Sequence, residues 1–234
     1  EHDSVLQVLF KDSKGKYDFV CFNGDMTSSV DSTQVIMDHY MRSASRLFAS
    51  DTPLYLCRGN HEYRGNDAIK YLDYWKTSTG KTYYATSYGK YFFLFLDSGE
   101  DKVESDVRNL DIMITDEYVK EEAEWLKGVL QSDEYKNAEM RIAFCHMPPG
   151  ENGWHGNAMV SKYFVPQLLD LMLCAHIHRY KYYEPGTIGA DFPVLCNANQ
   201  QRLDAHVDSK GISIKIYDKS GANVHSLSFS KKKN

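Results

Sequence analysis

The sequence predicts an α/β fold, and three observations carry that prediction. Apolar strand-like runs alternate with helical segments through most of the chain. Several of these runs close on clusters of carboxylate, amide and imidazole side chains. The last part of the chain then turns β-rich. A βα series needs parallel strands joined by right-handed crossovers. At 234 residues the chain is long for one domain and short for two, and it reads as a single domain over 1–234 with a sizeable core.

The elements follow in order. Residues 4–12 have helical spacing, and "YDFVCFNGD" (17–25) is an apolar run ending in a turn. "DSTQVIMDHYMRSASRLFAS" (31–50) opens on capping residues and puts Ile36, Tyr40 and Leu47 on one helical stripe. "PLYLCRGNH" (53–61) is strand then loop, and a helix-like stretch covers 67–78. Residues 81–99 read as a hairpin turning near Gly89. Residues 116–135 form the clearest amphipathic helix, with Val119, Trp125, Leu126, Val129 and Leu130 inward. "MRIAFCHMPP" (140–149) is a strand closed by two prolines, and three further strands are expected near 191–197, 211–217 and 223–229. One junction, "VPQLLDLMLCAH", passes from helix to strand with almost no connection, where about 2 to 6 residues are usual. The expectation is that a few loop residues are lacking near Leu169.

Bulk properties exclude several classes. The formal net charge is -5 and the only basic cluster is the terminal "SKKKN", so a broad nucleic-acid-binding surface is not expected. No stretch reaches the roughly 18 to 20 apolar residues of a membrane span. Five cysteines, each in or at the end of an apolar run, read as buried core residues rather than a disulfide framework. The compartment stays open: a soluble protein, cytoplasmic, or periplasmic or secreted with its leader removed.

The chemistry sits where the apolar runs end. "NGD" supplies Asp25; "RGNHE" supplies Asn60, His61 and Glu62; "CHMPP" supplies His146; "AHIH" supplies His176 and His178. Ligands collect at the carboxyl edge of parallel strands. On an extended segment residues i and i+2 share a face, so His176 and His178 are expected to point the same way. Nitrogen and oxygen donors without thiolate suit Mn, Fe, Zn or Ni.

In this order, GD, then GNH with an acid, then a histidine after a strand, then a paired histidine motif, the chain resembles the calcineurin-like metallophosphoesterases, the superfamily that includes the purple acid phosphatases. The resemblance implies two packed mixed β-sheets flanked by helices, a four-layer α/β/β/α sandwich. It also implies two divalent metal ions. Asp25 would bridge them, Asn60, His146 and His176 would serve the second metal, and His178 the first. His61 would stabilise phosphoryl charge or protonate the leaving oxygen, with Glu62 orienting its ring. The implied activity is hydrolysis of a phosphomonoester or phosphodiester in a phosphorylated substrate, by attack of a metal-bound hydroxide at the dinuclear site. Arg64 is a candidate for holding phosphate oxygens, Trp154 and His155 for a substrate wall, and Asp97 for a structural role.

The sequence departs from the family pattern at three places. The aspartate-x-histidine motif that should end a strand before the helix at 4–12 is missing, and the expectation is that the sequence starts just after it. If the protein instead lacks that motif, the alternative is a non-catalytic metal-binding member of the same fold. Ala175 stands where a glycine is usual, and no tyrosine follows Asp25 at the third position, so a purple ferric site is not expected.

Overall fold

The computed structural model describes residues 2–102, 115–150, 158–164 and 169–231. Strands β1 (Val20–Asn23) and β2 (Leu54–Cys57) pair in parallel. A hairpin of β3 (Tyr84–Tyr88) and β4 (Tyr91–Leu96) turns through Gly89, whose φ of 59° is the left-handed conformation such a tight turn requires. β4 continues in parallel register to β5 (Met140–Cys145), then β6 (Leu171–Cys174), then β8 (Val194–Cys196). Short β7 (Lys181–Tyr183) adds antiparallel to β8, completing a six-stranded mixed sheet in the order β3-β4-β5-β6-β8-β7. β9 (Arg202–Asp208), β10 (Gly211–Tyr217) and β11 (Asn223–Ser230) form an antiparallel sheet with β10 central.

Three apolar clusters reveal the layers. One face of the six-stranded sheet buries Leu94, Leu96, Ala143 and Met172 against Val119 and Leu126 of the helix Thr115–Val129 and Val160 of the helix Ala158–Tyr163. Its other face buries Phe93, Phe95, Ile142 and Leu171 against Cys57 of β2 and Ile212, Ile214 and Ile216 of β10. An aromatic contact bridges that interface, Tyr55 of β2 stacking on Phe95 at 4.9 Å, and Phe95 in turn stacks within its own sheet on Phe144 at 5.0 Å. The outer face of β1 and β2 packs Val20, Phe22 and Leu56 against the helix His2–Phe10 and the helical run 33–49. Helix, sheet, sheet and helix therefore stack as four layers, the α/β/β/α sandwich expected. One feature differs: among the described residues the second layer hydrogen-bonds as two pieces, a parallel pair and an antiparallel triplet, instead of one mixed sheet.

Several elements depart from their sequence reading. Over 33–49, α-helical turns alternate with π-helical turns at Met37–Met41 and Ser45–Ala49. The buried row is Ile36, Tyr40, Ala44 and Phe48, and Leu47 lies at its margin. A four-residue step overshoots an α-helical turn by about 40°; the wider π turns reverse that drift, keeping the row on one line. The long helix stops at Val129, and a short one, Asp133–Asn137, restarts after Ser132, whose hydroxyl accepts the Tyr135 N–H at 3.2 Å. β7 and β9 lie outside the strands expected from the sequence. The first has only three residues. β9 does alternate Leu203, Ala205 and Val207 with polar residues, and Leu203 and Val207 pack on the apolar cluster between the sheets, so that alternation was the available signal. The junction near Leu169 involves 165–168, which lie outside the described residues, as do Trp154 and His155.

Candidate metal centre

The parallel strands bring their carboxyl ends to one edge, and each polar cluster sits just past such an end. Direct pairing of Leu96 with Cys145, Phe144 with Leu173 and Cys174 with Cys196 keeps the ends of β4, β5, β6 and β8 level. His146 follows β5 immediately, and His176 follows β6 by two residues. From the other layer, Asp25 follows β1 and Asn60 follows β2.

Two glycines let these layers close on each other. A Cβ on Gly24 would lie 2.4 Å from His146 Nδ1 and 2.7 Å from the Gly59 backbone. One on Gly59 would lie 2.4 Å from both the Asp25 amide nitrogen and Asp25 Oδ1. Only hydrogen fits at either place.

The result is a compact donor set. One ligand atom each from Asp25, His146 and His176 all lie within 4.8 Å of one another. Asn60 Oδ1 is 3.2 Å from His176 Nδ1, so the amide joins the group. His146 Nδ1 lies 2.7 Å from the Asn23 carbonyl oxygen, which fixes a proton on Nδ1 and turns Nε2 towards Asp25. That Nε2 is buried, 3.1 Å from Asp25 Oδ2, and without a well-aligned hydrogen bond. A buried ring nitrogen that offers a lone pair when neutral, facing a carboxylate and a second imidazole, fits a divalent cation.

The charges of the group are mutually adjusted. Burial opposes ionisation of Asp25, but the charge and hydrogen bonding of His146, with the His61 N–H, outweigh it and bring its pKa down to about 2. Burial likewise opposes protonation of His146, yet Asp25 beside it raises the pKa above the ordinary imidazole value. His176 goes the other way, to about 4, through burial first and then the charge of His146. In the metal-free protein His146 is thus drawn towards its charged form by the carboxylate while His176 is kept neutral; a cation needs both rings neutral, so it would displace the proton of His146.

Not every sequence-predicted residue sits as expected. β6 ends at Cys174, and both His176 (φ 62°) and His178 (φ 56°) adopt left-handed backbone in a turn where the Ile177 N–H donates to the Ala175 carbonyl at 2.7 Å. The shared face of an extended strand therefore does not apply. His178 is exposed and outside the group formed by Asp25, His146 and His176. Glu62 does not orient the His61 ring; it is buried and accepts N–H groups of Asp25 (2.8 Å), Met26 (2.6 Å), Thr27 (3.2 Å) and Gly59 (2.9 Å). It clamps the Asp25 loop to the Asn60 loop. His61 is placed by the Ser28 carbonyl, 2.9 Å from Nδ1, while Asp25 Oδ1 accepts its backbone N–H at 3.1 Å. Arg64 is not free to hold phosphate with its fork: Nε and Nη2 donate to Glu100 at 2.9 and 2.7 Å, and Nη2 also to Asp101 at 2.9 Å. Its Nη1 is left 3.4 Å from His61 Nε2.

Sequence reasoning missed Glu100 and Asp101, although "FLDSGED" places three acids just past β4. Asp97, the first of them, is fully buried and binds both ends of the Asn60 loop: Oδ2 accepts Arg58 Nε at 2.8 Å and Oδ1 accepts the Tyr63 hydroxyl at 2.9 Å. That strand-end run of acids was the available signal.

Residues 2–180 match the calcineurin-like phosphoesterase family. No curated protein matches the chain. Among solved structures, "GAP50 the anchor in the inner membrane complex of Plasmodium" aligns over 100% of this chain and 84% of its own, with a TM-score of 0.64 and 13% identity. TT1561 of Thermus thermophilus aligns over 97% of this chain and 91% of its own, with a TM-score of 0.56 and 13% identity. At these identities the likeness is one of fold.

Proposed function

Because the chain belongs to the calcineurin-like phosphoesterase family, we propose that it is a metal-dependent hydrolase that cleaves a phosphomonoester or phosphodiester at a centre of two divalent ions. The observation that carries this reading is the convergence of Asp25, Asn60, His146 and His176 from four strand ends onto one point, with His61 alongside. These four residues would hold one ion, and Asp25 with His178 would contribute to a second. Bound there, a divalent cation supplies Lewis-acid polarisation of a phosphoryl oxygen and a nucleophile from water at neutral pH.

The protein's own groups do the rest. Asp25 is held ionised, and the clamp of Glu62 fixes its loop, so the carboxylate is preorganised. With Nδ1 donating to the Ser28 carbonyl, His61 is left with Nε2 for the substrate, and in its doubly protonated form the Nε2–H can bind a phosphoryl oxygen or pass its proton to a leaving oxygen. Arg64 Nη1 adds positive charge beside that atom. The substrate is a phosphorylated small molecule or similar phosphoester; no helix among the described residues is long and apolar enough to cross a membrane.

Elemental analysis of protein purified without chelator, run with turnover of p-nitrophenyl phosphate and bis(p-nitrophenyl) phosphate in added Mn²⁺ or Zn²⁺, tests the reading. About two ions per chain with turnover supports it. At most one ion without turnover favours the non-catalytic metal-binding alternative. Within an active protein, His61→Ala lowers turnover by about 10²- to 10⁴-fold with metal content unchanged; equal loss of metal would refute the role given to His61.

A further inference from the structure

Asn60 offers the centre an amide, of which the oxygen can bind a cation and the NH₂ cannot. Which end faces the metal group depends on the neighbours of this buried side chain. On one side His176 Nδ1 lies 3.2 Å from Asn60 Oδ1. On the other, Asn60 Nδ2 donates to Asp101 Oδ1 at 3.2 Å. Turning the amide over would set its oxygen at that distance from a carboxylate oxygen, two acceptors with no proton between them, and would aim two N–H groups at the cation.

We propose that Asp101 is a positioning residue that holds the Asn60 amide with its oxygen towards the metal group. The inference rests on the metal reading above. Asp101 is suited to the task because it is itself held. Arg64 Nη2 donates to the same Oδ1 at 2.9 Å, Lys102 pairs with Oδ2, and the Asp101 backbone N–H donates to Glu100 Oε1 at 2.8 Å. Glu100, its side chain fully buried, takes the fork of Arg64. Arg64 therefore reaches the centre through Asp101 and Asn60, which gives its position after the "GNHE" stretch a reason other than phosphate binding. The acid comes from the β4 end of the six-stranded sheet and the amide from the β2 loop, so the contact also ties the two layers at the site.

The test is Mn²⁺ titration by calorimetry into the metal-free full chain, comparing the native protein with Asp101→Ala and Asp101→Asn, each checked for folding by circular dichroism. In Asp101→Asn the new amide oxygen still accepts from Asn60, while the charge that pairs with Arg64 and Lys102 is gone. In Asp101→Ala both are lost. The expected result is a 10- to 100-fold fall in Mn²⁺ affinity for Asp101→Ala, with Asp101→Asn within about threefold of native. Asp101→Ser, too short to reach Asn60, replaces Asp101→Ala if that variant fails to fold. Native affinity in the truncated variant overturns the proposal, and so does an equal loss in Asp101→Asn, which would make the ion pairs the cause. A native chain that binds no Mn²⁺ overturns the metal reading itself, a different failure from either of these.

Discussion

The two walls of the centre are built by different means. Asp25 and Asn60 come from loops after the short pair β1 and β2, and those loops are held by side-chain clamps. Glu62 gathers four backbone N–H groups, and Asp97 grips Arg58 and Tyr63 on either side of Asn60. His146 and His176 come from the long mixed sheet, and strand register with a packed apolar face places them. A wall held by buried polar contacts fails as a unit when one is removed, because each donor left behind is buried without water. A wall held by register and packing degrades in proportion to the change.

The largest effect expected from this contrast is at Glu62. Glu62→Ala leaves the N–H groups of residues 25–27 and Gly59 without their acceptor and should cost about 4 kcal/mol or more, summing four hydrogen bonds of about 1 kcal/mol or more each. Urea unfolding measures the loss, and metal binding should disappear with it. A cost under about 1 kcal/mol would show that the loops hold themselves. Gly59→Ala ranks next. Its methyl would press within 2.4 Å of Asp25 and 2.8 Å of Glu62 Oε2, the two groups the clamp joins. About 1–3 kcal/mol of overpacking is expected, with weakened Mn²⁺ binding; native stability would mean that the loops separate without penalty.

How much of this was legible in the sequence divides along the same line. Asp25, Asn60, His146 and His176 could be found because each closes an apolar run, and strand ends are visible in a one-dimensional pattern. The contacts of Glu62, Asp97, Glu100 and Asp101 could not, because they join loops 34 to 41 residues apart along the chain. A neighbour in sequence suggested that Glu62 orients His61, whereas the carboxylate turns the opposite way to meet residues 25–27. The left-handed backbone at His176 and His178 was likewise hidden, since an alternating "HIH" reads as strand until its end is known. The π turns beneath Tyr40 and Phe48 were hidden because a row at every fourth residue resembles an ordinary helical stripe.

The pair that joins the two walls, Asp25 and His146, makes a pH prediction. With the pKa of Asp25 lowered from its ordinary 3.8 to about 2, its contribution to stability is complete above about pH 4 and lost as pH falls through about 2. The pKa of His146 is raised, so its contribution is complete below the ordinary 6.5 and lost as pH rises through the higher folded value. The metal-free protein should therefore lose stability as pH rises from about 6.5 towards the higher folded value, and Mn²⁺, which needs the neutral imidazole, should reverse that trend. Urea midpoints across this range, with and without Mn²⁺, make the comparison. A metal-free midpoint that climbs from pH 6 to 8 would contradict the pairing.

The smallest effect should fall on His178. It belongs to the sheet-borne wall by sequence, yet it is exposed, and among the described residues no clamp ties it to the opposite loops. His178→Ala should leave the unfolding midpoint unchanged, since surface substitutions away from such contacts stay within about 0.5 kcal/mol. It should also leave the affinity of the Asp25, Asn60, His146 and His176 position within about threefold, because removing a contact outside that position costs well under the tenfold of a supporting partner. If Asp25 and His178 share a second ion, the same variant should lower the bound metal from two ions to one, read by elemental analysis. A fall in affinity at the first position as large as that of His176→Ala would mean that the turn after β6 acts as one unit. The sheet-borne wall would then be as cooperative as the clamped one.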